Sequence, residues 1–288
     1  MSAIIAAVVN EKGGATKTTT TYAIGSEAAN LGLRTLIVDF DPQYASLTLA
    51  AGAERTRGAK SVVNAMQAFL ENDEPGPLTP HLIALRPHLD LLPSGKELSS
   101  AETVLHDTPD RDRILSNVLA PAARDYDLVL IDCPPSLGIL VTNALTAAQS
   151  VIIPVTPEFM GAAGLKDLLD TIRRIKRRRL NPDLSVAAII LTKASLGTKH
   201  ARKVADEVRA TYGESIAVLG PVKPATIVNE ASEAGQSIVD YAPKHDVALA
   251  YKEITRELLR SWGVPLPADP QDGQQQQADE HQTEVLHG

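Results

Sequence analysis

The apolar residues of this chain fall into short unbroken runs, separated by longer stretches with helical periodicity. The runs are "AIIAAVV" (3–9), "TLIVDF" (35–40), "LDLLPSG" (89–95), "DLVLID" (127–132), "SVIIPV" (150–155), "VAAIIL" (186–191) and "SIAVLG" (215–220). Unbroken apolar runs, unlike alternating ones, predict strands covered on both faces. Helices are predicted over 17–31, 61–71, 97–106, 110–124, 138–148, 160–179, 199–212, 225–235 and 246–262. Strands alternating with helices predict an α/β fold, a mostly parallel twisted sheet with helices on both faces. No internal repeat and no linker divides the chain before residue 264. The expected organisation is therefore one domain over 1–264 followed by a tail over 265–288.

Composition changes this picture in two places. Hydrophobic residues make up 44% of the 288 positions but aromatics only 3%, so the core has to be aliphatic and alanine-rich. The net charge of −7 is largely a property of the tail, "PLPADPQDGQQQQADEHQTEVLHG", which holds five acids and no Lys or Arg. Without those five, 30 acids face 28 basic residues, a net charge of −2. The tail has no apolar periodicity and reads as disordered, and the near-neutral remainder is free to carry basic patches. No apolar run approaches the ~20 residues that span a bilayer, and the start lacks the features of a signal peptide. A single cysteine, Cys133, excludes a disulfide framework and a cysteine-rich metal site built by one chain, and a reducing cytoplasm is expected.

In parallel sheets ligands bind at the carboxyl ends of the strands, and polar residues gather there. The first strand is followed by "NEKGGATKTTT" (10–20), the second ends in Asp39 and Asp41, the fourth in Asp132. The loop departs from the phosphate-binding pattern G-x-x-x-x-G-K-[ST], with Glu11 and Thr16 in place of the two glycines. It keeps Gly13 and Gly14, which allow a tight turn that aims backbone N–H groups at a phosphate. The helix that follows adds its N-terminal dipole. Lys17 is placed to reach β- and γ-phosphates, and Thr18 to offer its hydroxyl to Mg²⁺. Asp132 fits the acid that holds Mg²⁺, Asp41 is placed to orient an attacking water beside the metal, and Asp39 to support the metal shell. Thr16 is β-branched and disfavours positive φ, so a helix-like backbone is expected there.

The segments "KGGATKTT", "VDFDPQ", "LDLLPSGKELSSAE", "YDLVLIDCPPSLG" and "NALTAAQSVIIPVTPEFMGAAGL" together resemble the ParA family of DNA-partitioning ATPases, over residues 3–262 and in the family's order. The loop resembles the family's deviant Walker A form, K-G-G-x-x-K-[ST], of the P-loop NTPases. The resemblance implies ATP and Mg²⁺ as ligands, with Lys12, Gly13, Gly14, Ala15, Thr16, Lys17, Thr18 and Thr19 around the phosphates. It implies a homodimer with ATP sandwiched between the subunits. Lys12 would reach the partner's nucleotide, adding to Lys17 and Asp41 in hydrolysis. Two facing nucleotides concentrate negative charge, which a lysine from each side neutralises. "KPATIVNEASEAGQSI" (223–238) resembles the segment that frames the base, with Pro224 and Glu230 as candidates, and "LTK" (191–193) is a further border of the base.

The resemblance further implies slow ATP hydrolysis stimulated by a partner of ParB or adaptor type, non-specific DNA binding, a cytoplasmic, nucleoid-associated location, and a cargo that is a plasmid, a chromosome region or a protein body. Relatives of other kinds fit less well. The acidic tail is not the basic amphipathic helix of a MinD-like membrane ATPase, so no membrane partner is expected. The single cysteine argues against a nitrogenase-iron-protein-like carrier. An ATP-dependent small-molecule ligase of the dethiobiotin-synthetase type is the alternative on the same fold. For DNA, Lys252, Arg256 and Arg260 recur four apart on one helix face, and Lys199, Arg202, Lys203 and Arg209 lie on the helix over 199–212. Interspersed acids suit an ordinary solvated face equally, and the resemblance favours DNA. "RRIKRRR" (173–179) is the densest basic run and also complements a helix C-terminus.

Overall fold

The structure is a computed structural model that describes residues 3–14, 16–42, 46–53, 60–95, 97–106, 108–157, 162–195 and 197–267. Ala15 of the loop and nearly all of the expected tail lie outside the described residues. In chain order the elements are β1 (Ile4–Val8), α1 (Lys17–Asn30), β2 (Thr35–Asp39), α2 (Ser46–Ala50), α3 (Val62–Asn72), β3 (Ile83–Arg86), β4 (Leu89–Leu92) and α4 (Leu98–His106). Then come α5 (Ile114–Leu119), α6 (Ala122–Asp125), β5 (Leu128–Asp132), α7 (Ile139–Ala147), β6 (Ser150–Val155) and α8 (Ala162–Arg177). The chain continues through β7 (Ser185–Leu191), α9 (Lys199–Tyr212), β8 (Ala217–Leu219), α10 (Ile227–Glu233), α11 (Ile238–Tyr241) and α12 (Asp246–Ser261).

The eight strands form one sheet in the order β3-β4-β2-β5-β1-β6-β7-β8, with only β3 antiparallel. Successive residues of a strand point to opposite faces, so the unbroken apolar runs feed two cores. Ile5, Ala7 and Val9 of the first run enter one core, and Ala6 and Val8 enter the other. The first core is closed by α3, α5, α7, α8 and α9, and the second by α1, α2, α11 and α12. Register is what matters for function. Val8 and Asp39 both pair with Asp132, so the ends of β1, β2 and β5 lie side by side.

Differences from the sequence expectation have local causes. The helix expected over 110–124 is broken into a 3-10 turn at Arg111–Arg113 and the short α5 and α6. Pro121 between them has no N–H to continue a helix and crowds the preceding turn. The strand β3 escaped notice because it is four residues long, half-buried and at the edge of the sheet. The single turns α2 and α11 are too short to show a period.

One glycine is dictated by packing. Gly25 sits in α1 where the helix lies against β2, and a Cβ there would stand 2.6 Å from Cγ2 of Ile37. Gly25→Ala is therefore expected to lower stability by about 1–2 kcal/mol, overpacking exceeding the gain in helix propensity. Thermal unfolding of the variant against the native chain checks this, and an equal or higher melting temperature refutes the tight approach.

Candidate functional site

The loop after β1 is anchored before it turns. Asn10, buried, donates from Nδ2 to the Pro154 carbonyl at the end of β6 (2.5 Å), and its Oδ1 accepts from the Lys12 N–H (3.0 Å). Sequence reasoning passed over Asn10, although a polar residue directly after an apolar run was the available signal. The chain then turns through Gly14 (φ 77°) into Thr16, which caps α1 with φ 61° and ψ 23°. The helix-like backbone expected at Thr16 is thus corrected. Position 16 is where the usual loop has glycine, and the turn into α1 demands the left-handed conformation whatever the side chain. A non-glycine residue held there costs about 1–3 kcal/mol.

Lys17 opens α1 and is buried, its Nζ lying 3.4 Å from the Lys12 carbonyl. Burial draws its ammonium below the usual lysine range, against the opposing charges of Asp132, Cys133 and Asp41. The hydroxyl of Thr18 donates to Oδ2 of Asp132 at 2.7 Å. Asp132 is 1% exposed, and its other oxygen, Oδ1, has no hydrogen-bond partner. Burial, and then the nearby charge of Asp39, raise its carboxyl well above the ordinary range. A buried, orphaned carboxylate oxygen beside a threonine hydroxyl is the donor set of a hard cation. Among the described residues no group of three or more His, Cys, Asp or Glu forms a metal cluster. That suits magnesium, which takes one or two protein groups and completes its shell with phosphates and water.

Asp39 is held by a network of its own. Both its oxygens are engaged: Oδ2 accepts from the Thr48 N–H (2.8 Å) and hydroxyl (2.6 Å), and Oδ1 from the Asp41 N–H (3.2 Å). It ties α2 and the Asp41 segment to the end of β2. Burial pushes its pKa up to about 6, and the bonds from Thr48 and Asp41 restrain the rise. Asp41 itself lines the cavity, with its carbonyl held by the Ser94 hydroxyl at 2.9 Å.

The cavity has a volume of about 850 Å³, within the range of small-molecule sites. Gly13, Gly14, Thr16, Lys17, Thr18 and Thr19 line it, together with Thr192, Lys193, Pro224, Asn229 and His245 among others. Lys193 reaches back to the loop, its Nζ lying 3.4 Å from the Gly14 carbonyl. Glu230 is exposed on α10 and is not among the lining residues; its neighbour Asn229, also exposed, is. His245 went unnoticed because it precedes a helix as an unremarkable polar residue. Its Nδ1 accepts from the Val247 N–H (3.2 Å), which caps α12. Lys12 is exposed at the loop and is not among the lining residues.

The basic residues considered for DNA are divided by the sheet. Lys199, Arg202, Lys203 and Arg209 are on α9, which packs on the first core, and Lys252, Arg256 and Arg260 are on α12, which packs on the second. Lys252 and Arg256 also face Glu27 of α1, whose carboxyl is raised by burial and restrained by these two cations and Asn30. Lys252 donates to the Pro243 carbonyl at 3.2 Å. Much of the α12 row therefore serves a buried acid. The sequence pattern showed the spacing but not the acid across the helix pair.

Comparison with known proteins accords with this geometry. A family model described as an AAA domain matches residues 2–186. The chain is 34% identical to the sporulation initiation inhibitor protein Soj of Bacillus subtilis, over 88% of this chain and 97% of that protein. It is 35% identical to the chromosome partitioning protein ParA of Myxococcus xanthus, over 89% of this chain and 88% of that one. A structure of cobyrinic acid a,c-diamide synthase from Mycobacterium smegmatis with bound ADP and magnesium superposes with a TM-score of 0.75 at 33% identity, covering 93% of this chain and all of that one. With its deviant loop, its strand-end carboxylates and this coverage of curated relatives, the chain belongs to the ParA/Soj family of partitioning ATPases.

Proposed function

We propose that this chain is an ATP-dependent switch that dimerises around nucleotide, binds DNA without sequence preference and positions a cargo, releasing it when a partner of ParB or adaptor type stimulates hydrolysis. It would act in the cytoplasm on the nucleoid, and among the described residues no helix is long and apolar enough to cross a membrane. The observation that carries the reading is the Thr18–Asp132 contact with its orphaned Asp132 oxygen beside Lys17. Gly13, Gly14 and the start of α1 would hold the phosphates, Ala15, Thr16 and Thr19 completing the loop. Thr18 and Asp132 would hold Mg²⁺, and Lys17 would neutralise the phosphates. Magnesium would supply charge stabilisation for the leaving phosphate oxygens. Asp41, at the cavity edge, would orient water.

Lys12 would serve the partner's nucleotide. Its exposure on a loop beside the cavity, but off the lining, supports a role directed away from its own site. The cargo is a plasmid, a chromosome region or a protein body.

A small-molecule ligase of the dethiobiotin-synthetase type is the second reading, and the likeness to the diamide synthase is what favours it. Cys133 offers such an enzyme no nucleophile, because the thiol is buried and burial raises its pKa well above the usual value.

Three expectations follow from these roles. Lys17→Ala lowers ATP affinity by about 100-fold, since charge-assisted bonds to phosphate are lost. Lys12→Ala instead weakens ATP-dependent dimerisation by at least about tenfold with little change in monomer binding. Sedimentation with and without ATP separates the two, and an unaltered dimer fraction for Lys12→Ala ends the cross-dimer role. Asp41→Ala binds ATP but hydrolyses it about 100-fold more slowly. Turnover is measured with no small acid substrate present; a strict requirement for one would favour the ligase.

DNA affinity, read by fluorescence anisotropy on two unrelated duplexes, is expected to require ATP and to fall steeply with salt, as counterion release demands. Arg202→Ala/Lys203→Ala on α9 weakens it more than Arg256→Ala on α12, whose charge is shared with Glu27. Equal affinity with ATP and ADP defeats the switch.

A further inference from the structure

Among the described residues, six other than glycine hold a positive φ. Four of them are not among the residues that line the cavity; the other two, Thr16 (φ 61°) and Lys193 (φ 48°), are. Strained backbone of this kind clusters at functional sites. At Lys193 the cause is a change of direction at the end of β7. The Thr192 N–H donates to the Val155 carbonyl of β6 at 2.7 Å, whereas the Ala194 N–H donates to the Val222 carbonyl, beyond β8 on the other side, at 3.0 Å. In an extended strand, groups two residues apart point the same way, so the backbone turns over at residue 193. Glycine would make that turn without strain, yet the chain has a lysine there.

The base of this lysine is fixed from both sides. Thr192 and Ala194 are buried, and the Thr192 hydroxyl also donates to the Val155 carbonyl at 3.3 Å. The Val222 N–H returns to the Leu191 carbonyl at 2.8 Å, which stitches the end of β7 to the segment over 220–222. From this anchored backbone the exposed Lys193 side chain crosses to the phosphate loop, where its Nζ lies 3.4 Å from the Gly14 carbonyl. Gly14 is the residue at which the loop turns, with φ 77°. The Nζ of Lys17 stands at the same distance, 3.4 Å, from the Lys12 carbonyl. Two ammonium groups, one from the helix that follows the loop and one from a strand end 179 residues away, thus each take a carbonyl of the loop. A loop that offers its N–H groups to phosphate has to point its carbonyls elsewhere, and a charged donor makes the stronger hydrogen bond to them.

We infer that Lys193 is a positioning residue for the nucleotide site: from the end of β7 its ammonium holds the Gly14 carbonyl and so keeps the glycine turn in the form that faces phosphate. The residue acts through the loop. It raises the fraction of molecules whose loop is ready to bind, and apparent affinity scales with that fraction. The inference rests on the reading of this loop as the phosphate site. It extends that reading by making the end of β7 part of the site's support, and it gives a reason for a lysine where the backbone favours glycine.

The test uses the full chain and reads the Kd of fluorescent ATP and ADP analogues with Mg²⁺. Lys193→Met, a similar shape without the ammonium, is expected to weaken both about fivefold, the worth of one hydrogen bond. The two losses are expected to be equal, because a smaller fraction of ready loops lowers both affinities by one factor. Lys193→Arg, which keeps a cationic donor, is expected to bind within about twofold of the native chain. Lys193→Asn is expected to show the loss of Lys193→Met while its melting temperature stays level or rises, since asparagine tolerates the left-handed backbone. Native affinity in Lys193→Met would overturn the inference, as would a loss in Lys193→Arg as large as that in Lys193→Met. A loss with the ATP analogue and none with the ADP analogue would make Lys193 a direct ligand of the terminal phosphate and would also overturn the positioning role. If Lys193→Met does not fold, Lys193→Asn decides by the same criteria. Lys17→Ala keeps the two levels apart. If it still binds the analogues normally, the phosphate-site reading fails; if it does not bind while Lys193→Met binds as the native chain does, only the role of Lys193 fails.

Discussion

A carboxylate taken out of water at the end of a central strand organises this molecule. Asp132 is buried at the junction of β1, β2 and β5, with Asp39 as its register partner on the next strand. Burial raises both carboxyls, and a neighbouring acid adds to the rise in each: Asp39 at Asp132, and Asp41 at Asp39. The compensation is partial: one threonine hydroxyl and the ammonium of Lys17, itself weakened by burial. A cation at the orphaned oxygen would complete it. The strand ends thus hold a buried acid whose charge is only partly compensated.

The two acids divide the work by their hydrogen bonds. Asp132 keeps one buried oxygen without a hydrogen-bond partner. Asp39 closes all of its own and so fastens α2, Thr48 and the Asp41 segment to the sheet. Thr48 passes the constraint on, because its hydroxyl also accepts from the Ser94 N–H at 3.1 Å. Asp41 is therefore held from beneath by a buried acid. A buried network of this kind is stiff when every member is satisfied, which is what positioning a reacting water requires.

The outer helices contribute in unequal ways. On α12 one side carries Tyr251, whose hydroxyl meets Thr20 of α1, and the adjoining positions Lys252 and Arg256 offset part of the burial of Glu27 on α1. The helix is thus tied to α1 by charge and by packing together. On α9 the basic residues lie over the other core, mixed with acids such as Asp206, which pairs with Arg209 at 3.5 Å. Surface pairs of this kind contribute little to stability.

Most of the architecture was legible in the chain itself. Unbroken apolar runs specify doubly covered strands, and a run followed by glycines or acids marks the carboxyl edge, because strand periodicity and turn chemistry are local properties. Gly13, Gly14, Lys17, Thr18, Asp41 and Asp132 were visible for that reason. What only the tertiary structure decided depends on who stands across the gap. Asp39 and Asp132 look alike as strand-end acids, and only Thr48 folding back makes one of them an anchor. Lys252 and Arg256 look like a free basic row until Glu27 is found opposite. Thr16 looks unfit for a left-handed turn when considered alone, yet the turn into α1 places it there. Pair energies between residues far apart in sequence leave no trace in local pattern, and at this site they determine which polar groups remain open to a ligand.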